Sequence, residues 1–168
     1  DIPMILYNVP GRTGMNISVD TVLTLAKHKN IVGMKDATDN INYAMEILTH
    51  TKDLDFDMYS GCDDNILPFI AAGGKGIISV LSNVYPRETE MFAQACLKGD
   101  LELARKMAYD LNDVSKYLFI DVNPIMPKAA LAKKGVCSEM VRRPLIPTTD
   151  VNKKLLFDAM EEFEKKGY

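Results

Sequence analysis

Short apolar runs take turns with longer mixed stretches along the first part of this chain. The runs IPMILY (residues 2–7), IVGMK (31–35), FDMYS (56–60) and KGIISV (75–80) are too short for helices and read as strands. They are nearly continuous rather than alternating, which predicts buried strands of a parallel sheet covered by helices. The stretches between them carry apolar residues at helical spacing. Residues 18–29 place Val19, Val22, Leu23 and Ala26 at that spacing, behind Ser18 as N-cap. Residues 40–51 form a second helix with Asn40 as its cap. Residues 64–73 form a third, containing Pro68 and ended by Gly73 and Gly74. Residues 86–99 form a fourth, with Pro86 in the first turn and Gly99 at the end. The order is βαβαβαβα with short turns, which predicts a parallel sheet under helices.

After Gly99 the strand signal stops. Residues 101–119, 123–135 and 149–167 are helical by spacing, and RRPLIPTT (142–149) reads as an extended linker. Two regions are therefore expected: an α/β region over residues 1–99 and a helical domain over residues 100–168.

Composition narrows the function. The chain has 168 residues, 47% of them hydrophobic and 26% charged, which is the balance of a globular domain. A net charge of −3 leaves no basic patch for nucleic acid. No apolar run approaches the length that spans a membrane, and neither a signal peptide nor a membrane partner is expected. The three cysteines, Cys62, Cys96 and Cys137, form no CxxC and no metal spacing, so they read as free thiols of a reducing cytoplasm. His28 and His50 fall near helix ends and read as surface residues or helix-end cations. The glycine-rich AGGKG (72–76) lacks phosphate-loop spacing and precedes a strand, so it reads as a turn.

Ligands of parallel α/β proteins bind at the carboxyl ends of the strands. Those ends carry Tyr7 and Asn8, Lys35 and Asp36, Ser60 and Gly61, and Ser79; the turns beyond them add Arg12, Thr13, Asp63, Asp64 and Asn83. Lys35 admits two readings. Its stem could pack on apolar neighbours while its head reaches water. Alternatively, a desolvated amine loses its preference for the charged form and can attack a ketone or aldehyde to form an imine. Tyr7 is either a rim aromatic or a proton relay for that chemistry. Arg12 is either a solvated turn residue or a bidentate fork for a substrate carboxylate.

Several motifs in one order carry a resemblance. YNVPGRTG, GMKDATDN, YSGCDDNILPFIAAGGKGIISVLSNVYP, NPIMPKAAL and RRPLIP resemble the dihydrodipicolinate synthase family, within the pyruvate-dependent class I aldolases that include N-acetylneuraminate lyase. The resemblance implies a (β/α)₈ TIM barrel with a C-terminal helical domain, and usually a tetramer. It implies condensation of pyruvate with aspartate semialdehyde in lysine biosynthesis, through a covalent imine and no other cofactor or metal. By position, Lys35 matches the imine-forming lysine, Tyr7 the proton donor and acceptor, and Arg12 the arginine for the second substrate's carboxylate. Ile78 matches a position whose backbone carbonyl faces pyruvate, and Gly61 a backbone position lining the same cavity. Another pyruvate-dependent aldolase, acting on 2-keto-3-deoxy sugar acids or N-acetylneuraminate, is the alternative; a non-catalytic assembly fragment is another.

The match also implies what is missing. A complete member has four βα units before DIPMILY, so the chain is expected to be the C-terminal half, strands 5–8 of the barrel, followed by three helices. The threonines for the pyruvate carboxylate and a second tyrosine would lie in the other half. Turnover by this chain alone is expected to be weak or nil. The barrel-facing side chains, expected to include Ile5, Val32, Met34, Met58 and Ile78, would lack partners. Association with the missing half or with a second copy is the expected result.

Overall fold

Four strands, β1 (Met4–Asn8), β2 (Ile31–Asp36), β3 (Asp57–Ser60) and β4 (Gly76–Ile77), lie side by side in the order β1-β2-β3-β4 in a computed structural model that describes residues 2–168. Every neighbouring pair is parallel. The connections carry α1 (Pro10–Thr13) and α2 (Val19–Leu25), then α3 (Ile41–Thr51), then a short 3₁₀ turn (Asp63–Asn65) and α4 (Ile66–Ala71). Helices α5 (Pro86–Leu97), α6 (Leu101–Leu118), α7 (Ile125–Lys133) and α8 (Asp150–Glu164) follow. The expected α/β alternation is therefore present, with its helix starts where the caps predict. Ser18 accepts from the Thr21 N–H at 3.2 Å, and Asn40 accepts from the Asn42 and Tyr43 N–H groups at 3.1 and 3.2 Å.

The contacts divide the chain into two compact units. One is the chain up to Ser79 together with Ala93–Asp100; the other is Val80–Phe92 with Leu101–Tyr168. The segment Val80–Phe92 thus groups with the helices, where the apolar pattern alone drew one boundary after residue 99. In the first unit a core of Val22, Ala26, Ile31, Met34, Tyr43, Ala44, Ile47, Phe56, Met58 and Phe69 fills the space between sheet and helices. In the second, α6 buries Ala104, Met107, Leu111, Val114 and Leu118, a three-to-four-residue spacing, and α8 buries Leu156, Met160 and Phe163. Helices α6, α7 and α8 pack on one another.

Three expectations need correction. First, Met34 and Met58 are not on an open barrel face. They are 0% and 1% exposed and belong to the core under the helices. Strand parity decides this, because both sit one residue away from the positions that face outward. Second, β1 is not buried throughout: Ile5 is 50% and Tyr7 48% exposed, and only Leu6 and Asn8 turn inward. It is an edge strand, with a neighbour on one side only. Third, β4 is far shorter than the apolar run over 75–80; it pairs only through Gly76 and Ile77, so Ile78 lies beyond the strand and is 41% exposed. The stretch over 142–149 is free of helix, as read, but turns at Arg143 and Pro144.

Candidate active site

Register brings the polar strand ends together. Tyr7 pairs with Lys35, and Lys35 pairs with Tyr59; one residue further on, Asn8 pairs with Asp36 and Asp36 with Ser60. In a parallel ladder, residues in register point the same way. The row Tyr7, Lys35, Tyr59 therefore lies on the face opposite the core, and the row Leu6, Met34, Met58 lies on the core face. Lys35 is half-buried, and its Nζ stands 4.4 Å from the centroid of the Tyr7 ring.

Gly61 closes the other side of the lysine stem. Its N–H donates to Asp36 O at 2.6 Å, and a Cβ built there would lie 2.9 Å from Lys35 Cε and 2.9 Å from Ala37 Cβ. Any larger residue would displace the lysine, so this position needs its missing side chain. Ile78 is drawn to the same rim by its N–H, which donates to Ser60 O at 2.9 Å. Ser60 itself is buried; its hydroxyl donates to Cys62 O at 2.9 Å and accepts from the Cys62 N–H at 3.2 Å. Lys35, Tyr7, Gly61 and Ile78 are thus gathered at adjacent strand ends. Arg12 sits apart from that row on α1, exposed, in a turn closed by Gly14 at φ +68°.

The electrostatics follow burial. Asp36, 4% exposed, has its carboxyl raised above the ordinary range by burial, against hydrogen bonds from Thr38 that lower it. The Cys62 thiol is pushed up to about 11, first by burial and then by Asp39, so it is a poor nucleophile at neutral pH. The three cysteines are free. Tyr59 is also raised, by burial first and by Asp57 second. Among the described residues no cluster of three or more His, Cys, Asp or Glu side chains could hold a metal ion, and no helix is long and apolar enough to cross a membrane.

Sequence reading passed over two parts of this arrangement. Tyr59 is the second tyrosine beside the lysine. Its signal was positional: Tyr7, Lys35 and Tyr59 each stand one residue before the end of their strand. The second part is the pairing of Asn8 with Tyr43, which lies 35 residues away and has no local signature.

A parallel sheet with helices between successive strands, and polar side chains gathered at its carboxyl end, defines the β/α class whose ligands bind at that end. Within that class the chain belongs to the dihydrodipicolinate synthetase family, whose model matches residues 1–162. It is 44% identical over 164 residues to 4-hydroxy-tetrahydrodipicolinate synthase of Exiguobacterium sibiricum, covering 98% of this chain and 56% of that protein. Its fold superposes on dihydrodipicolinate synthase from Aquifex aeolicus with a TM-score of 0.92 at 41% identity, covering 98% of this chain and 56% of the other. It also superposes on the chloride-inhibited enzyme from Acinetobacter baumannii complexed with pyruvate, with a TM-score of 0.93 at 32% identity, covering 98% and 56% of the two chains. The chain spans about half the length of the relatives it matches.

Proposed function

We propose that this chain is the lysine-bearing part of an enzyme that condenses pyruvate with aspartate semialdehyde to 4-hydroxy-tetrahydrodipicolinate, in the biosynthesis of lysine. The observation that carries the reading is the position of Lys35 at a strand end, half-buried, with its amine 4.4 Å from the Tyr7 ring centroid. In this scheme the Lys35 amine attacks the C2 carbonyl of pyruvate. Water leaves and a protonated imine remains. That imine withdraws electrons from C3, which loses a proton and then attacks the aldehyde carbon of the second substrate. The amine of that substrate then adds to C2 and expels the Lys35 amine, which closes the ring and frees the product. The Tyr7 hydroxyl relays the protons of the addition and dehydration steps. Arg12 holds the carboxylate of the semialdehyde, while Gly61 and the Ile78 carbonyl line the pyruvate cavity. No cofactor beyond the covalent imine is invoked. The pyruvate bound to the Acinetobacter baumannii enzyme, 32% identical, supports the choice of first substrate.

The four strands are assigned to positions five to eight of an eight-stranded barrel, with α6 to α8 as its carboxyl-terminal helical domain. The order of elements supports this. After α5 the chain runs through three helices with no further strand among the described residues, where a first half would continue into a fifth strand. The working enzyme is then a cytoplasmic homo-oligomer, and its free thiols fit that compartment.

The test is reductive trapping in the protein as encoded at full length. Pyruvate with borohydride should leave a stable adduct on the peptide that contains Lys35. An adduct on Lys27 or Lys75, with none on Lys35, overturns the assignment. Turnover with a sugar acid in place of aspartate semialdehyde would move the enzyme elsewhere among the pyruvate aldolases.

A further inference from the structure

Asn8 follows Tyr7 and is 1% exposed, although it ends an edge strand. All its side-chain polar atoms are engaged. Its Nδ2 donates to Asn16 Oδ1 at 2.7 Å and to the Tyr43 hydroxyl at 3.1 Å, and its Oδ1 accepts from the Ile17 N–H at 3.3 Å. Tyr43, on α3, donates its hydroxyl to Ile17 O at 2.7 Å. Asn8 and Tyr43 thus grip the same short segment, Asn16 and Ile17, from two elements. One element ends at the Tyr7 strand end, and the other follows the strand that carries Lys35.

The gripped segment closes a loop that begins at Val9 and holds Arg12. Inside the loop the backbone is ordered by its own bonds. The Arg12 and Thr13 N–H groups donate to Val9 O at 2.9 and 3.1 Å, and the Gly14 N–H donates to Pro10 O at 2.9 Å. Those bonds shape the turn but leave its attachment to the sheet undetermined. Beyond Asn8, the attachment is the clasp at residues 16 and 17 together with the Ile17 side chain, which packs against the core. The Tyr43 phenol, pushed up to about 12 first by burial, stays protonated and so remains a donor. Its aromatic ring lies in the core, so removal of the hydroxyl alone leaves the packing in place.

We propose that the Asn8–Tyr43 clasp is a specificity device: it fixes the loop that presents Arg12, and so sets how well the enzyme selects an aldehyde that carries a carboxylate. Tyr43 is then a positioning residue that acts through Arg12. This deepens the reading of Arg12 as the second substrate's anchor and rests on it. A fork that must meet two carboxylate oxygens at once tolerates little displacement. The reaction of Lys35 with pyruvate does not pass through the clasp.

Two measurements test it. In the first, the full-length protein with Tyr43→Phe should show a KM for aspartate semialdehyde raised about 5- to 30-fold, because the change removes both hydrogen bonds of the hydroxyl, to Asn8 Nδ2 and to Ile17 O. Its KM for pyruvate and its borohydride adduct on Lys35 should stay within about twofold, since neither depends on these bonds. In an Arg12→Ala background the same change should have no further effect, because the two residues act through one contact. Equal rises in both KM values, or additive losses, overturn the clasp and make Tyr43 a packing residue. If Arg12→Ala itself leaves the semialdehyde KM unchanged, the reading of Arg12 fails, and the specificity role falls with it. In the second, amide exchange of this chain should speed up over residues 9–17 in Tyr43→Phe, with strands β2 and β3 unchanged. Unchanged exchange over 9–17 also overturns the clasp, with no dependence on activity.

Discussion

Asp36 stands next to Lys35 and pays for its place in the fold. Its carboxyl is buried, and one oxygen accepts the Thr38 N–H at 3.0 Å. Burial, the dominant influence, raises its affinity for a proton in the folded state above the ordinary value of 3.8. The stabilising contribution of such a group is fully present below its unfolded value and is lost as pH rises through its folded value. At neutral pH the charged carboxylate therefore weakens the fold. Asp36→Asn keeps the oxygen that accepts from Thr38 and removes the charge. The variant should melt about 2–4 °C higher than the wild type at neutral pH, the shift for about 1 kcal/mol in a chain of this size. The gain should vanish as pH falls to the ordinary carboxylate range. Melting curves by circular dichroism at both ends check this; a gain that is independent of pH would point to packing instead of charge. The same scale shows what residue chemistry alone leaves open for Lys35. An amine on an apolar run suits both a rim lysine and a nucleophile, and only the Tyr7 ring beside it and the glycine at its stem narrow the choice.

At the scale of the element, helix α3 links the strand of Lys35 to the clasp on the Arg12 loop. Its start depends on Asn40, whose side chain accepts from two first-turn N–H groups and so satisfies donors that the helix cannot. Asn40→Ala should cost about 1 kcal/mol, in the usual range for a lost cap. Because Tyr43 lies in that first turn, a frayed start should also loosen residues 16 and 17. A drop in the unfolding midpoint in urea at unchanged slope, with faster amide exchange at Ile17, is the expected result; a midpoint within error of the wild type would show that tertiary packing alone holds the helix start. Two helix starts were legible in the sequence, because Ser18 and Asn40 cap by local geometry and each accepts where expected; the Thr149 cap was not read from it. Strand lengths were less legible. The apolar run over 75–80 reads as a full strand, but β3 offers β4 only Tyr59 and Ser60 as partners. Pairing decides where a strand ends, and pairing is not local.

On the scale of the whole molecule, the exposed apolar side chains decide how it behaves in solution. Met4, Ile5, Tyr7 and Ile78 are all exposed, and among the described residues no strand pairs with the outer edge of β1. Covering what remains exposed on each would contribute on the order of 1 kcal/mol. This chain by itself should therefore associate at micromolar concentration. Light scattering should give a mass above the 18.7 kDa of one copy. Adding Ile5→Lys, which charges the outer face without entering the core, should lower that mass. A monodisperse single copy in both proteins would refute the idea that this face needs cover. Met34 and Met58 take no part in it, since both pack under the helices.

The sequence by itself determined the alternation of strand and helix, the caps, the change to helices after Gly99, and the residues that could carry imine chemistry. Each of these depends on neighbours close in the chain: apolar spacing, a capping side chain, a glycine at a turn. The motifs also sufficed to indicate the family. Tertiary structure alone decided which face each strand residue occupies. A shift of one position exchanges core for surface, and only the register of β1, β2 and β3 sends Met34 and Met58 inward and Tyr7, Lys35 and Tyr59 outward. It decided the grouping of Val80–Phe92 with the helices, because contacts and not composition bound a unit. It also joined Asn8 to Tyr43 across 35 residues of chain, since a hydrogen bond requires proximity in space and leaves no trace in local pattern.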